Sequence, residues 1–118
     1  MIGIDIVNIK RFHKLFYGES KEYLLRKIFT ENEIKQFMGK TNKSKIESLA
    51  GRYAVKEAVI KASKGELKLS DLANIEIHQD VSGALTVHIQ NLKVSCNCYE
   101  VSLSHDGDYA IGIAMKMI

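Results

Sequence analysis

Proline is absent from these 118 residues, cysteine occurs twice, and no apolar run approaches the roughly 20 residues that a membrane-spanning helix needs. Without proline, low-complexity tracts or an internal repeat, nothing marks a linker, and the chain reads as one continuous unit. Cys96 and Cys98 form a lone Cys-x-Cys with no second pair to complete a zinc site, so they read as two reduced, structural thiols. The N-terminus lacks the basic region and cleavage site of a secretory signal. Together with the missing apolar run, this points to a cytoplasmic protein that engages no membrane.

What is present belongs to a folded globule. Hydrophobic residues make up 46% and charged residues 26% of the chain, enough for one core and not for two. A net charge of +3 biases the surface towards anionic partners, whether phosphates, acidic proteins or nucleic acid, without choosing among them.

Residues 2–7 alternate, with Ile2, Ile4 and Ile6 on one face and Gly3, Asp5 and Val7 on the other, the pattern of a strand. Asp5 is then an acid in an apolar context, either a strand-end residue that hydrogen-bonds a nearby helix start or a ligand. Gly3 beside it leaves space for a ligand or another backbone to approach. From Asn8 the period lengthens into a helix that Gly18 stops, with Ile9, Phe12, Leu15 and Phe16 apolar and Lys10, Arg11 and Lys14 basic. A second helical run, 21–29, prolongs the basic surface through Lys21, Arg26 and Lys27. Thr30-Glu31-Asn32-Glu33 is a capping box that starts a third helix over 31–38.

The polar stretch 40–45 feeds a long central helix, about 43–64, which Gly65 ends. Ser70-Asp71-Leu72 suits a single turn. Alternating strands follow at 75–78 and 85–89 around a turn at 80–83, then at 99–104 and 109–115 around a turn at 105–108. Helices first and strands afterwards, with one strand at the N-terminus, predict an α+β fold. The long central helix packs on a mostly antiparallel sheet, and residues 1–118 form a single domain.

Within the central helix, Ile46, Leu49, Ala50, Tyr53, Ala54 and Ile60 make an apolar stripe, and Glu57 falls inside it. Burying an unpaired carboxylate is costly, so Glu57 requires a partner. Lys61, one turn on, supplies one if the two form an i, i+4 ion pair worth about 0.2–0.5 kcal/mol. The alternative is a metal ligand beside an anion-binding ammonium. His105, between Ser104 and Asp106 where a strand meets a turn, suits a ligand contact or a structural turn equally.

Three separated stretches agree with one another. Gly3-Ile4-Asp5, the run Leu49-Ala50-Gly51-Arg52-Tyr53-Ala54-Val55-Lys56-Glu57-Ala58-Val59-Ile60-Lys61-Ala62, and Ser102-Leu103-Ser104-His105-Asp106 together resemble the holo-acyl-carrier-protein synthases, the small bacterial-type members of the 4'-phosphopantetheinyl transferase superfamily. The likeness spans nearly the whole chain and also takes in Phe29-Thr30-x-x-Glu33 and Ile75-Glu76-Ile77. It implies the 4'-phosphopantetheinyl transferase fold and a reaction: magnesium-dependent transfer of the 4'-phosphopantetheine arm of coenzyme A to a serine of apo acyl carrier protein, in fatty acid biosynthesis, releasing adenosine 3',5'-bisphosphate.

By the same resemblance, Asp5 and Glu57 match the family's two metal-binding acids. Lys61 matches the lysine at the coenzyme's phosphates, His105 the histidine near its 3'-phosphate, and Arg11 the basic residue that meets the carrier protein. Glu57 and Lys61 are the catalytic pair that follows, with Glu57 as candidate base. Relatives carry a longer glycine-rich loop after the central helix. Here 62–67 holds a single glycine, so Gly65 is the one loop residue onto which a coenzyme contact carries over. The resemblance also implies a homotrimer with active sites between protomers.

The chemistry supports these residue types independently. Magnesium prefers hard oxygen ligands and usually takes one or two carboxylates plus phosphates and waters, and phosphoryl transfer is mostly positioning and charge neutralisation. The competing expectation, a non-catalytic basic module binding nucleic acid or coenzyme A, gives Asp5 and Glu57 no task. The strands also carry few of the interleaved basic and aromatic residues that nucleic-acid binding uses, so no nucleic-acid partner is expected.

Overall fold

The computed structural model describes residues 1–15, 21–37, 42–90 and 98–117. Strand β1 (Ile2–Asn8) leads into helices α1 (Ile9–Lys14), α2 (Lys21–Ile28), α3 (Glu31–Phe37) and α4 (Asn42–Ala62). A 3-10 segment, Leu69–Asn74, then precedes β2 (Ile75–Gln79), β3 (Leu85–Ile89), β4 (Tyr99–Asp106) and β5 (Tyr109–Lys116). The α+β architecture with a long central helix on antiparallel strands is as the order of elements predicts. No helix among the described residues is long and apolar enough to cross a membrane.

The strands form two sheets, not one. One is three-stranded in the order β1-β5-β4, and β2-β3 is a separate hairpin. The reason is α4: the three-stranded sheet packs along one side of it, while Ile75, Ile77 and Val87 of the hairpin pack with Val55 and Val59 on another. Splitting the strands lets them cover two sides of one helix.

Two boundaries differ from expectation. Helix α4 stops at Ala62, because Lys64 and Gly65 adopt φ of 52° and 90°, outside the range a right-handed helix allows. Strand β4 runs on through His105, which pairs with Ala110, to Asp106, which pairs with Tyr109. The turn is therefore Gly107 and Asp108 alone, led by a glycine at φ 58°, the short hairpin loop that matches strand twist. His105 is a strand residue and not a turn residue. The expected end of the first helix at Gly18 and of the third at Met38 fall outside the described residues, as does Cys96. Cys98 is disulfide-bonded, which corrects the expectation of two reduced thiols.

Which face of β1 turns inward is decided by size. Gly3, Asp5 and Val7 face α4, and Ile2, Ile4 and Ile6 face out. A Cβ on Gly3 would sit 2.0 Å from the Ala58 carbonyl oxygen, and one on Gly112 of β5 would sit 2.5 Å from the backbone of Ala54. With Ala110 and Ala114 completing the inner surface, the sheet is shaved to backbone level where the helix lies on it. The bulky residues occupy the opposite face, cross-strand in the pairs Ile2 with Met115, Ile4 with Ile113 and Ile6 with Ile111, all exposed in the single chain.

Because elements cover α4 on several sides, polar residues of the helix are buried as well. Lys56 is completely buried, and its ammonium donates to the Ile28 carbonyl at 2.7 Å, the Leu72 carbonyl at 3.1 Å and the Glu33 carboxylate. All three of its protons are thereby used. Glu33, equally buried, closes the capping box by accepting from the Thr30 amide at 2.9 Å, and also accepts from the Ile77 amide at 3.0 Å. One ion pair thus ties α2, α3, the 3-10 segment and β2 to the central helix. Burial pulls Lys56 down to about 8, against the opposing pull of Glu33.

Candidate active site

Asp5 reaches the helix from β1. It sits opposite Gly112 in the sheet, with its side chain 13% exposed, and Lys61 of α4 donates to its Oδ1 at 3.0 Å and to the Ile4 carbonyl at 2.9 Å. Lys61 thus spends its charge on β1. The i, i+4 pair with Glu57 is replaced by this cross-element contact.

In the other direction along the helix, four residues before Glu57, lies Tyr53. Burial first, and then the nearby negative charge of Glu57 and Asp5, raise its phenol well above its ordinary range, so it stays protonated. The Tyr53 ring packs on Phe12 of α1, with centroids 5.3 Å apart. Asp5 and Lys61 therefore meet at the β1 edge of α4, with Glu57 one helical turn before Lys61. Among the described residues no group of three or more His, Cys, Asp or Glu is arranged to hold a metal ion. The protein's anionic donors here stop at two carboxylates, the number a magnesium ion takes when phosphates and water supply its other ligands.

His105 lies elsewhere. Its Nδ1 is 3.4 Å from Glu47 Oε2, and the two residues line both a cleft of about 540 Å³ between α4, the β2-β3 hairpin and β4 and a cleft of about 670 Å³ beside α1. Neither cleft is lined by Asp5, Glu57 or Lys61. The first is also lined by Arg52, a buried residue whose Nη2 donates to Gln79 Oε1 at 3.3 Å and whose Nε has no hydrogen-bond partner among the described residues. Apolar Leu85, Val101 and Leu103 give this cleft a flat floor next to its cation.

Arg11 stands exposed in the last turn of α1, flanked by Lys10 and Lys14. Asn8 caps that helix, accepting from the Arg11 amide at 3.0 Å. Gly65 is exposed in the turn that follows α4, with open space where a Cβ would be.

A sequence model described as ACPS, 4'-phosphopantetheinyl transferase superfamily, matches residues 1–114. The chain belongs to the 4'-phosphopantetheinyl transferase superfamily. It is 37% identical over 115 residues to the holo-[acyl-carrier-protein] synthase of Mycoplasma capricolum, covering 98% of this chain and 92% of that one. The synthase of Mycoplasma mycoides is 40% identical over the same shares. The crystal structure of the Helicobacter pylori synthase in complex with coenzyme A superposes with a TM-score of 0.75 at 30% identity, covering 98% of both chains.

Of the residues singled out in this transferase-superfamily sequence, the fold pairs Asp5 with Lys61, one helical turn from Glu57, and leaves His105, Gly65 and Arg11 apart. Tyr53 and Arg52 were missed as polar participants. Tyr53 read as a stripe residue, although its position one turn before Glu57 is itself the signal. Arg52 carried no signal of its own, since a single arginine on a helix is normally solvated.

Proposed function

We propose that this chain is a magnesium-dependent holo-[acyl-carrier-protein] synthase of the cytoplasm, acting in fatty acid biosynthesis. It transfers the 4'-phosphopantetheine group of coenzyme A to a serine of apo acyl carrier protein and releases adenosine 3',5'-bisphosphate. The observation that carries this is the pairing of Asp5 with Lys61 one helical turn from Glu57, in a chain of this superfamily matched along almost its whole length by synthases.

Asp5 and Glu57 would hold the magnesium ion. Bound there, the ion would neutralise phosphoryl charge and orient the diphosphate. Lys61, half exposed, brings a compact positive charge to the phosphates and is already fixed against β1 by two hydrogen bonds. In the transfer, the serine oxygen bonds to the phosphorus that bears pantetheine and the bond from that phosphorus to the bridging oxygen breaks. The bridging oxygen leaves with adenosine 3',5'-bisphosphate, and Glu57 takes the serine proton. The cleft lined by His105 and Arg52 suits the adenosine end, a flat apolar floor receiving the base and the cations a phosphate. Gly65 lends an unobstructed backbone beside Lys61, and the basic edge around Arg11 receives the acidic carrier protein.

Since neither of the two clefts lined by His105 is lined by the carboxylate pair, the proposal includes a homotrimer in which sites are completed between copies. The exposed face of Ile2, Ile4, Ile6, Ile111, Ile113 and Met115 is the surface available for such an interface. Ile4→Arg, which places a charge at its centre and leaves the helix-facing side untouched, is expected to shift the protein from trimer to monomer in light scattering and to abolish transfer. An unchanged mass would remove this face from the assembly.

The function is tested by intact mass. Apo acyl carrier protein incubated with the enzyme, coenzyme A and magnesium should gain one phosphopantetheine, and a chelator should prevent the gain. A competent carrier protein that gains nothing would overturn the assignment.

A further inference from the structure

We infer that Gln79 is a positioning residue for coenzyme selectivity, its side-chain amide holding the Arg52 guanidinium so that the remaining N–H groups meet the 3'-phosphate of coenzyme A. This deepens the proposed function and rests on its placement of the adenosine end in the cleft lined by His105 and Arg52.

Arg52 rises from α4 and is only 5% exposed, and a long side chain has several torsions to fix before its planar head can serve an anion. Phe37 sets one face of that head, the guanidinium carbon lying 4.9 Å from the centre of the ring. A ring beneath it still lets the head turn in its own plane, and a hydrogen bond at the rim stops that turn. Gln79 of β2 makes one, accepting from Nη2 at 3.3 Å. The buried Nε, without a hydrogen-bond partner among the described residues, is left as a donor for whatever anion enters the cleft.

Gln79 is held in its turn. Its Nε2 donates to the Gly83 carbonyl at 3.4 Å, across the hairpin turn. Arginine can only donate and a carbonyl can only accept, so the amide fits between them with its oxygen towards Arg52 and not the reverse. The turn itself is braced, since Asp80 accepts from the amides of Ser82 at 2.8 Å and Ala84 at 3.1 Å, and Gly83 supplies a φ of 91°. Gln79, Gly83 and Arg52 all line the same cleft. A neutral amide orients the cation without cancelling its charge. A glutamate here would orient it too, but it would pair with the charge and set a second acceptor against the Gly83 carbonyl.

The test compares coenzyme A with 3'-dephospho-coenzyme A. Binding of each is measured by isothermal titration calorimetry, with magnesium present, to wild type, Gln79→Leu and Gln79→Glu. Wild type should prefer coenzyme A. We expect Gln79→Leu to weaken coenzyme A about 5-fold, the worth of one hydrogen bond, and to leave 3'-dephospho-coenzyme A within twofold of wild type. Gln79→Glu should weaken coenzyme A at least as much, because its charge competes with the phosphate for Arg52. Equal weakening of both compounds in Gln79→Leu would mean that the hairpin and not the arginine was disturbed, and would overturn the inference. Coenzyme A affinity within twofold of wild type in both variants would overturn it as well. A wild type that binds the two compounds equally would overturn the placement of the phosphate in this cleft, and the role of Gln79 with it.

Discussion

Lys56→Met is expected to destabilise the protein by about 3–5 kcal/mol, the usual cost of deleting one member of a buried ion pair. Three effects add. The Glu33 carboxylate, with no exposure to water, is left without its cation. The Ile28 and Leu72 carbonyls lose their donor, the Leu72 carbonyl at a buried position. The ammonium also lies 5.0 Å from the centre of the Phe29 ring, a favourable contact that methionine replaces only in part. Against a total stability of about 5–15 kcal/mol for a typical domain, this is a large fraction. The melting temperature should fall by roughly 10–20 °C, read by circular dichroism. Adding Glu33→Leu should recover part of the loss, since replacing both charges by apolar groups removes the stranded anion. The recovery stays partial because the Thr30 and Ile77 amides then lack the acceptor that Glu33 provided. A Lys56→Met variant within 1 kcal/mol of wild type would show that the pair does not carry the fold.

This ion pair also marks where the sequence stops being legible. The capping box at Thr30 and Glu33 was readable and is formed, because it depends on four consecutive residues. That the same Glu33 would meet Lys56, 23 residues away, was not readable, because the apolar stripe on α4 was taken as its one buried side. The helix is covered on several sides, and a period of 3.6 says nothing about how many neighbours a helix has.

A similar limit applies to β1. Alternation separated Ile2, Ile4 and Ile6 from Gly3, Asp5 and Val7 correctly, yet period two cannot say which set faces the helix. The contact distances at Gly3 and Gly112 decide it, since no larger residue fits beneath the backbone of Ala58 and Ala54. Asp5 was legible as an acid in an unusual place for the same reason. Its capture of Lys61 was not, because the helical neighbour Glu57 offered an equally spaced partner and only the fold brings β1 alongside. His105 was placed in a turn because Asp106-Gly107-Asp108 reads as one. Cross-strand pairing of Asp106 with Tyr109 extends the ladder past it.

Glu57→Gln should lower transfer at least about 100-fold at any magnesium concentration that wild type needs for saturation, the lower end of what removing one preorganised electrostatic contact costs. The substitution keeps the shape of the side chain, so the packing of the neighbouring Tyr53 ring on Phe12 is undisturbed. It also strands no charge, because Lys61 remains paired with Asp5. Stability should therefore stay within about 1 kcal/mol of wild type, separating this variant from Lys56→Met next to it in sequence but buried on a different side of the helix. The loss should fall on kcat, with the KM for the carrier protein little changed, since the Arg11 surface of α1 is not touched. Asp5→Asn provides the contrast: it weakens the grip on Lys61, so it should disturb both phosphate binding and stability. Near-normal transfer by Glu57→Gln would take Glu57 out of the mechanism and leave Asp5 and Lys61 to account for the chemistry by themselves.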